Sequence, residues 1–410
     1  MKKYQYAIIF MVLIAGLVSC EKKNDDNENI NSKSTITHIT DQDVLSNRIV
    51  TVNQPVEFKG VGANQLNFVH KWNITPNVIN GKTLSASSSL LGDDMLFAGW
   101  HTRGDDVQGE LMVIDFQSIY ANNPIITESF EFVDQEINDL SYGTDFDSQE
   151  SYVLAAGKAK RDFSGEYNSI NQAMVFSVLC DKETNTIDFN SAQSWQKYLP
   201  AFSANSVYYD SQIDDVIVST GSNGGLSVFN KNDHNNLVFN AEISDSKHYD
   251  RHGRFAAFLS GDGPDQSKLY VWDYNNSNIN YEDYTEYSIP FGVTSEGKNV
   301  VNIDRRNWEY ANLAMGKDGL VRVNLTSGEI VNRFHTENGG HCNGVASDYN
   351  GMYLFVAYGS EGLYILDKNT FEVLGNWNYD GSCNYVEQFG PYLLIANGNT
   401  EGLILLEHIP

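Results

Sequence analysis

The sequence predicts an all-β chain in which one four-stranded unit recurs around a ring. Three observations predict it. First, the stretch MYLFVAYGSEGLYILDK (Met352–Lys368) returns as PYLLIANGNTEGLILLEH (Pro391–His408). Each copy is an apolar run, a short polar turn, the triplet Glu-Gly-Leu, and a second apolar run. The runs are too short for buried helices. They are rich in Tyr, Val, Ile, Leu and Phe and bounded by turn residues, so they read as core strands. Second, the copies are offset by about 40 residues, the period of a propeller blade. Third, the pair can be followed backwards through the chain until there are seven pairs. Four strands per repeat is the β-propeller blade, so the expectation is a seven-bladed propeller.

Taken in order, residues 1–19 read as a targeting segment. Lys2 and Lys3 supply the positive start, and Ala7 to Val18 is an apolar region too short to span a membrane. It ends in Leu17-Val18-Ser19-Cys20, which resembles a bacterial lipoprotein signal cut before Cys20. On that reading Cys20 carries lipid, and several acyl carbons at about 0.8 kcal/mol per buried methylene make a lasting anchor. After Cys20 the chain continues as EKKNDDNENINSKS (Glu21–Ser34), with almost nothing to bury, so residues 20–34 read as a disordered acidic tether. An acidic run just after the lipidated Cys is similar to the surface-export signal of lipoproteins from the Bacteroidota. That resemblance implies an outer-membrane protein facing the cell exterior, with room for an outer-membrane protein partner. Residues 35–65 contain apolar alternation, as in NRIVTVN, and read as an extension lying against the ring.

The propeller is expected over residues 66–410. LNFVHKWNI (Leu66–Ile74) is taken as the outer strand of the last blade, because the final repeat ends without one. Its Trp72-Asn73 is matched to Trp377-Asn378. Borrowing this strand closes the ring without an unpaired edge. The strand pairs then run DMLFAGW with GELMVIDF, SYVLAAG with QAMVFSVL, DVIVSTG with GGLSVFN, RFAAFLSG with KLYVWDY, YANLAMG with DGLVRVNL, and the two C-terminal copies.

Composition fits one large exported domain. The 410 residues are 41% hydrophobic and carry a net charge of −26. Binding phosphates needs clustered Lys and Arg, so nucleic acid is excluded as a partner class. Cys180 lies in an apolar run and reads as a buried small hydrophobe. Cys342 and Cys383 hold the same place in neighbouring repeats, and a disulfide between them is left open. No zinc spacing, GxSxG, HExxH or phosphate-binding loop is present. GTDFDSQ and GDGPDQ are acidic and Gly-bearing but lack full calcium-loop spacing. No cofactor can be named.

The inner strands begin alike, at Ile137-Asn138, Ala204-Asn205, Lys298-Asn299, Cys342-Asn343 and Cys383-Asn384. His248 or Tyr249 is the match in the fourth blade, and Ser85 in the first. Two readings stand: a polar collar for a ligand at the channel mouth, or Asn side chains bonded to the backbone of their own loops. The long connections collect cations on one face: His101, Arg103, Lys158, Lys160, Arg161, His248, Arg251, His252, His335 and His341. A small anionic or glycan ligand is the expected partner there. Arg103, Arg161, His248, Arg251 and His252 would hold it, with Tyr249 stacking and Asn299, Asn343 and Asn384 on the floor. His335 and His341 are candidates for a metal.

EGLYILDK (Glu361–Lys368), EGLILLEH (Glu401–His408) and GELMVIDF (Gly109–Phe116) resemble the LVIVD repeat of bacterial surface propellers. The resemblance implies a β-propeller and no particular activity. Without a catalytic motif, a non-enzymatic binding or scaffold lipoprotein is the first functional reading. The alternative is a carbohydrate-active enzyme of the polysaccharide lyase type with a His and Arg site on the same face.

Overall fold

The computed structural model describes residues 36–409, except 61, 63–65, 105, 146–147, 164–168, 222–223, 242, 244, 262–265, 275–279, 294–297 and 399–400. The signal segment, Cys20 and the tether therefore lie outside the described residues.

The fold is a seven-bladed β-propeller of antiparallel sheets. From inner to outer strand, blade 1 is Ser85–Gly92, Met95–His101, Gly109–Asp115 and Ile125–Phe132. Blade 2 is Gln135–Thr144, Ser151–Phe163 and Ser169–Asp181, with its outer edge shared by Thr186–Asp188 and Trp195–Leu199. Blade 3 is Ser206–Asp210, Asp215–Ser219, Leu226–Asn230 and Asp233–Ala241; blade 4 is Ser246–His252, Phe255–Gly261, Ser267–Asp273 and Thr285–Ile289. Blade 5 is Val301–Ile303, Tyr310–Ala314, Leu320–Asn324 and Ile330–Phe334; blade 6 is Gly344–Ser347, Tyr353–Ala357, Leu363–Asp367 and Val373–Trp377. Blade 7 is Cys383–Phe389, Tyr392–Asn397 and Leu403–His408, completed by Phe68–Ile74 from the other end of the chain.

Blades pack face to face, so their middle strands are covered on both sides. This is why those strands read as unbroken apolar runs: every residue of Met95–Trp100, Phe255–Gly261 and Tyr392–Asn397 is buried. The repeated Gly-Leu also has a local cause. Gly319, Gly362 and Gly402 sit at φ of +89°, +82° and +65°, and an added Cβ would lie 2.1, 2.3 and 2.3 Å from the outer-strand carbonyls of Phe334, Trp377 and Ile74. The chain must turn sharply into the third strand while touching the fourth, and only glycine fits.

The borrowed outer strand pairs with the last strand as expected, but its match to blade 6 is shifted. Ile74 lies opposite Leu403 as Trp377 lies opposite Leu363. Trp72 therefore corresponds to Gly375 and not to Trp377. A bulge between His70 and Trp72 helps to place the two Trp side chains differently.

The N-terminal extension is a strap of several parts. Ile36–Ile39 adds a fifth strand outside blade 1, and Ile49–Pro55 adds one outside Phe68–Ile74 in blade 7. Between them a short helix, Gln42–Ser46, is capped by Asp41 and buries Leu45 against Trp100 and Ile74. Lys59 then bridges to Asn376 of blade 6. The strap crosses the seams on both sides of blade 7. Cys180, Cys342 and Cys383 are buried free thiols. No described helix is long and apolar enough to cross a membrane.

Candidate functional site

The Asn column is real, and its register follows from a shared irregularity. The inner strands of four blades slip by one residue against their neighbours, at Ser87, Asn138, Lys247 and Asn384. Isolated bridges at Ser246, Cys342 and Cys383 fix the same position in blades 4, 6 and 7. The fourth blade therefore contributes Lys247, not His248 or Tyr249, and the first contributes Ser87, not Ser85. A bulge residue is invisible in a period-two pattern, so sequence alignment missed by one or two places.

Five side chains of the column bond the backbone of the next blade, not of their own loop, whereas Lys247 pairs with Asp245. Ser87 Oγ donates to the Ile137 carbonyl at 2.6 Å, Asn138 Nδ2 to Ala204 at 3.1 Å, and Asn205 Nδ2 to Ser246 at 2.9 Å. Asn343 Nδ2 donates to Cys383 at 3.1 Å, and Asn384 Nδ2 to Ala86 at 3.3 Å. These bonds make a chain of inter-blade staples around the channel. Both earlier readings are thus amended. The amide N–H groups hold blades together, while the side chains of Asn138, Asn205, Asn343 and Asn384 still line the mouth. Asn299 is fully buried and does not line it.

Above the ring opens a cavity of about 730 Å³. Among the described residues its walls carry the cations Arg103, Lys158, Lys247 and Lys298 and the carboxylate of Glu136. His101, His341, Ser85, Ser87, Ser382 and the four Asn complete the polar lining. Lys158 Nζ lies 3.4 Å from Glu136, Lys247 Nζ 2.7 Å from Asp245, and Lys298 Nζ 2.8 Å from Asp139 on the far side of the channel. Arg103 is exposed at the rim and has no ion pair among the described residues. Its guanidinium rests over Gly398 of blade 7. An added Cβ there would meet Arg103 Nη2 at 2.4 Å and Asn384 Nδ2 at 2.8 Å.

Two groups in this wall are held away from their usual protonation states. Burial pushes the Glu136 carboxyl up to about 7, against the pull of Lys158. Its Oε2 is buried and has no hydrogen-bond partner among the described residues. Burial first, then the cations Lys298, Lys158 and Arg103, bring His101 down to about 4 despite its bond to Asn138. His101 is therefore a neutral imidazole at neutral pH.

The other predicted site residues scatter. SKHYDRHGR reads as a polar loop, but Ser246–His252 is the inner strand itself, polar because it lines the channel. At about 3.3 Å per residue, Arg251 lies roughly 13 Å down the strand from Lys247. Arg251 and His252 line a separate cavity of about 590 Å³ at the opposite end, with Arg305, Arg306 and Tyr349. Arg251 is paired there with Asp210 and lies over the Tyr274 ring at 4.2 Å. His248 sits between the two cavities, its Nε2 4.0 Å from Asp139, with its pKa lowered by burial. Tyr249 points the other way, as strand alternation requires. It is buried between blades with its hydroxyl 3.0 Å from that of Tyr274, so it has no face for a ligand. Arg161 lies in strand Ser151–Phe163, and its side chain is outside the described residues.

His341 lines the mouth, whereas His335 is exposed outside it. Among the described residues no group of three or more His, Cys, Asp or Glu could hold a metal ion. Both acidic Gly-bearing segments fall partly outside the described residues. Glu136, Lys247 and Asn205 were not singled out from sequence as ligand contacts; the only signal for Asn205 was its place in the Asn column. No protein-family model and no curated protein matches the chain, so the geometry alone carries the functional reading.

Proposed function

We propose that this chain is a lipoprotein, anchored through Cys20 on the outer membrane and facing the exterior, that binds a small anionic, polyhydroxyl ligand such as a glycan acid at the mouth of its channel. The observation that carries the binding reading is the charge of the mouth. Four cations line it, and one of them, Arg103, has no ion pair among the described residues, in a chain whose net charge is −26. The rim guanidinium of Arg103 has the donor geometry for a carboxylate. With their amide N–H groups turned to the next blade, Asn205 and Asn343 offer their carbonyl oxygens as acceptors for hydroxyl groups, while those of Asn138 and Asn384 face His101 and Ser382. The lining has almost no aromatic surface, so recognition is polar and charge-led.

Binding by calorimetry tests this with galacturonate and polygalacturonate. A charge-assisted hydrogen bond is worth about 1.5–3 kcal/mol, so Arg103→Ala should weaken binding roughly ten- to a hundredfold. Gly398→Ala should act in the same direction, since its methyl displaces the guanidinium and crowds Asn384 at the same mouth. Arg306→Ala, at the opposite cavity, should bind like the parent. Wild-type affinity in Arg103→Ala would remove the reading.

The anchor is tested separately. The first described strand, Ile36–Ile39, begins beside Phe132 at the mouth end of blade 1. Fifteen tether residues (20–34) at up to about 3.5 Å each reach roughly 50 Å, enough for the mouth to turn away from the membrane. Cys20→Ala is expected to move the protein out of the membrane fraction. Continued sedimentation with membranes would show that the lipid assignment is wrong.

A further inference from the structure

We propose that His101 and Glu136 are an acid–base pair that performs β-elimination on the carboxylate bound at the mouth. The inference rests on the anionic-ligand reading of the same cavity and goes beyond it to a reaction. Both residues wall the cavity beside Arg103. The tautomer of His101 is set by its neighbour. Asn138 Nδ2 donates to Ser203 Oγ and to the Ala204 carbonyl, both at 3.1 Å. The atom it offers His101 is therefore Oδ1, 3.3 Å from Nδ1. Nδ1 must carry the hydrogen, which leaves the lone pair on Nε2. Glu136 stands on the same strand as Asn138, and both line the cavity. One of its oxygens faces Lys158, and the other has no hydrogen-bond partner among the described residues. A carboxyl buried with so little compensation holds its proton in a substantial fraction of molecules at neutral pH. The two groups are pushed in opposite directions, Glu136 towards the acid and His101 towards the free base. Such divergence is how one site holds both an acid and a base at neutral pH.

The chemistry balances without a further reactant. Arg103 and the lysines hold the substrate carboxylate and so acidify the hydrogen on the adjacent carbon. His101 Nε2 takes that hydrogen as a proton. The released electron pair forms the carbon–carbon double bond, and the bond from the next carbon to its oxygen substituent breaks. That oxygen takes the proton of Glu136 and leaves as an alcohol. The imidazolium then returns its proton to the Glu136 carboxylate, directly or through water. Burial and then the nearby cations depress His101; a bound carboxylate offsets the cations' part, so the base strengthens when substrate arrives. The substrate class is a uronate glycan, in which the carbon beside the carboxylate bears hydrogen and the next bears the glycosidic oxygen.

The test uses the full exported chain with polygalacturonate, alginate and chondroitin oligosaccharides, measuring binding by calorimetry and unsaturated product by ultraviolet absorbance. A probe that binds should be cleaved. His101→Gln and Glu136→Gln should each slow turnover by about a hundredfold or more while leaving affinity within a few-fold and the melting curve unchanged. In the parent, turnover should fall as pH rises through the Glu136 ionisation, and Glu136→Gln should lose that alkaline limb. Binding without unsaturated product overturns the reaction and leaves the binding reading standing, as does undiminished turnover in either variant. If none of the three probes binds, both readings fall together.

Discussion

Deleting Leu66–Ile74 is expected to abolish the soluble, cooperatively folding protein. The strand buries Leu66, Phe68, Trp72 and Ile74 almost completely. At about 1.5–3 kcal/mol per large apolar side chain, their loss removes roughly 6–12 kcal/mol, comparable to the whole stability of a typical domain. The deletion also strips the partner from Leu403–His408, whose backbone then becomes an open edge. Aggregation is therefore expected as well as a lowered melting temperature. Because Ile409 N already donates to the Asn67 carbonyl at 2.8 Å, the start of this strand lies beside the end of the last one. Re-appending the nine residues after Pro410 through a short turn should restore a cooperative melt. A deletion variant that melts like the parent would show that the ring does not depend on this closure.

That prediction was available before any coordinates because closure leaves a mark in the chain: a repeat missing one strand at one end and a spare strand at the other. The blades were legible for a similar reason. Strands covered on both faces, such as Met95–Trp100 and Tyr392–Ala396, must be apolar throughout, and in blades 5, 6 and 7 Gly-Leu marks the place where the third strand touches the fourth. The channel was less legible. Its inner strands face water and carry polar residues, so Ser246–His252 looked like a loop, and Arg251 was placed at the wrong end. Bulges at Ser87 and Lys247 shifted the Asn column where no repeated Asn marks it. Glu136 carries no periodic signal at all, since its environment is set by Lys158 in the next strand.

The least legible contact is expected to have the second large effect. Asp139 and Lys298 lie 159 positions apart and meet across the channel at 2.8 Å. Asp139 also accepts from Ser88 Oγ and the Val207 backbone at 3.2 Å each, with His248 beyond, while Lys298 lies 4.4 Å over the Tyr385 ring. Residues of blades 1, 2, 3, 4 and 7 thus converge on the lysine that enters blade 5. Asp139→Ala should cost about 3–5 kcal/mol, because it leaves a buried ammonium without its counter-charge. Lys298→Met in the same chain should recover much of that loss, since a thioether suits the Tyr385 face. The pH dependence has a definite sign. Burial already lowers the Lys298 pKa from 10.5 against the pull of Asp139, and without Asp139 it must fall further. Between that lowered value and 10.5 the unfolded chain binds more protons than the folded one, so the stability of Asp139→Ala rises with pH. Denaturant melts at neutral and alkaline pH check this. A loss in Asp139→Ala that Lys298→Met does not relieve, or that grows with pH, would mean that the carboxylate acts through Ser88 and Val207 and not through the lysine.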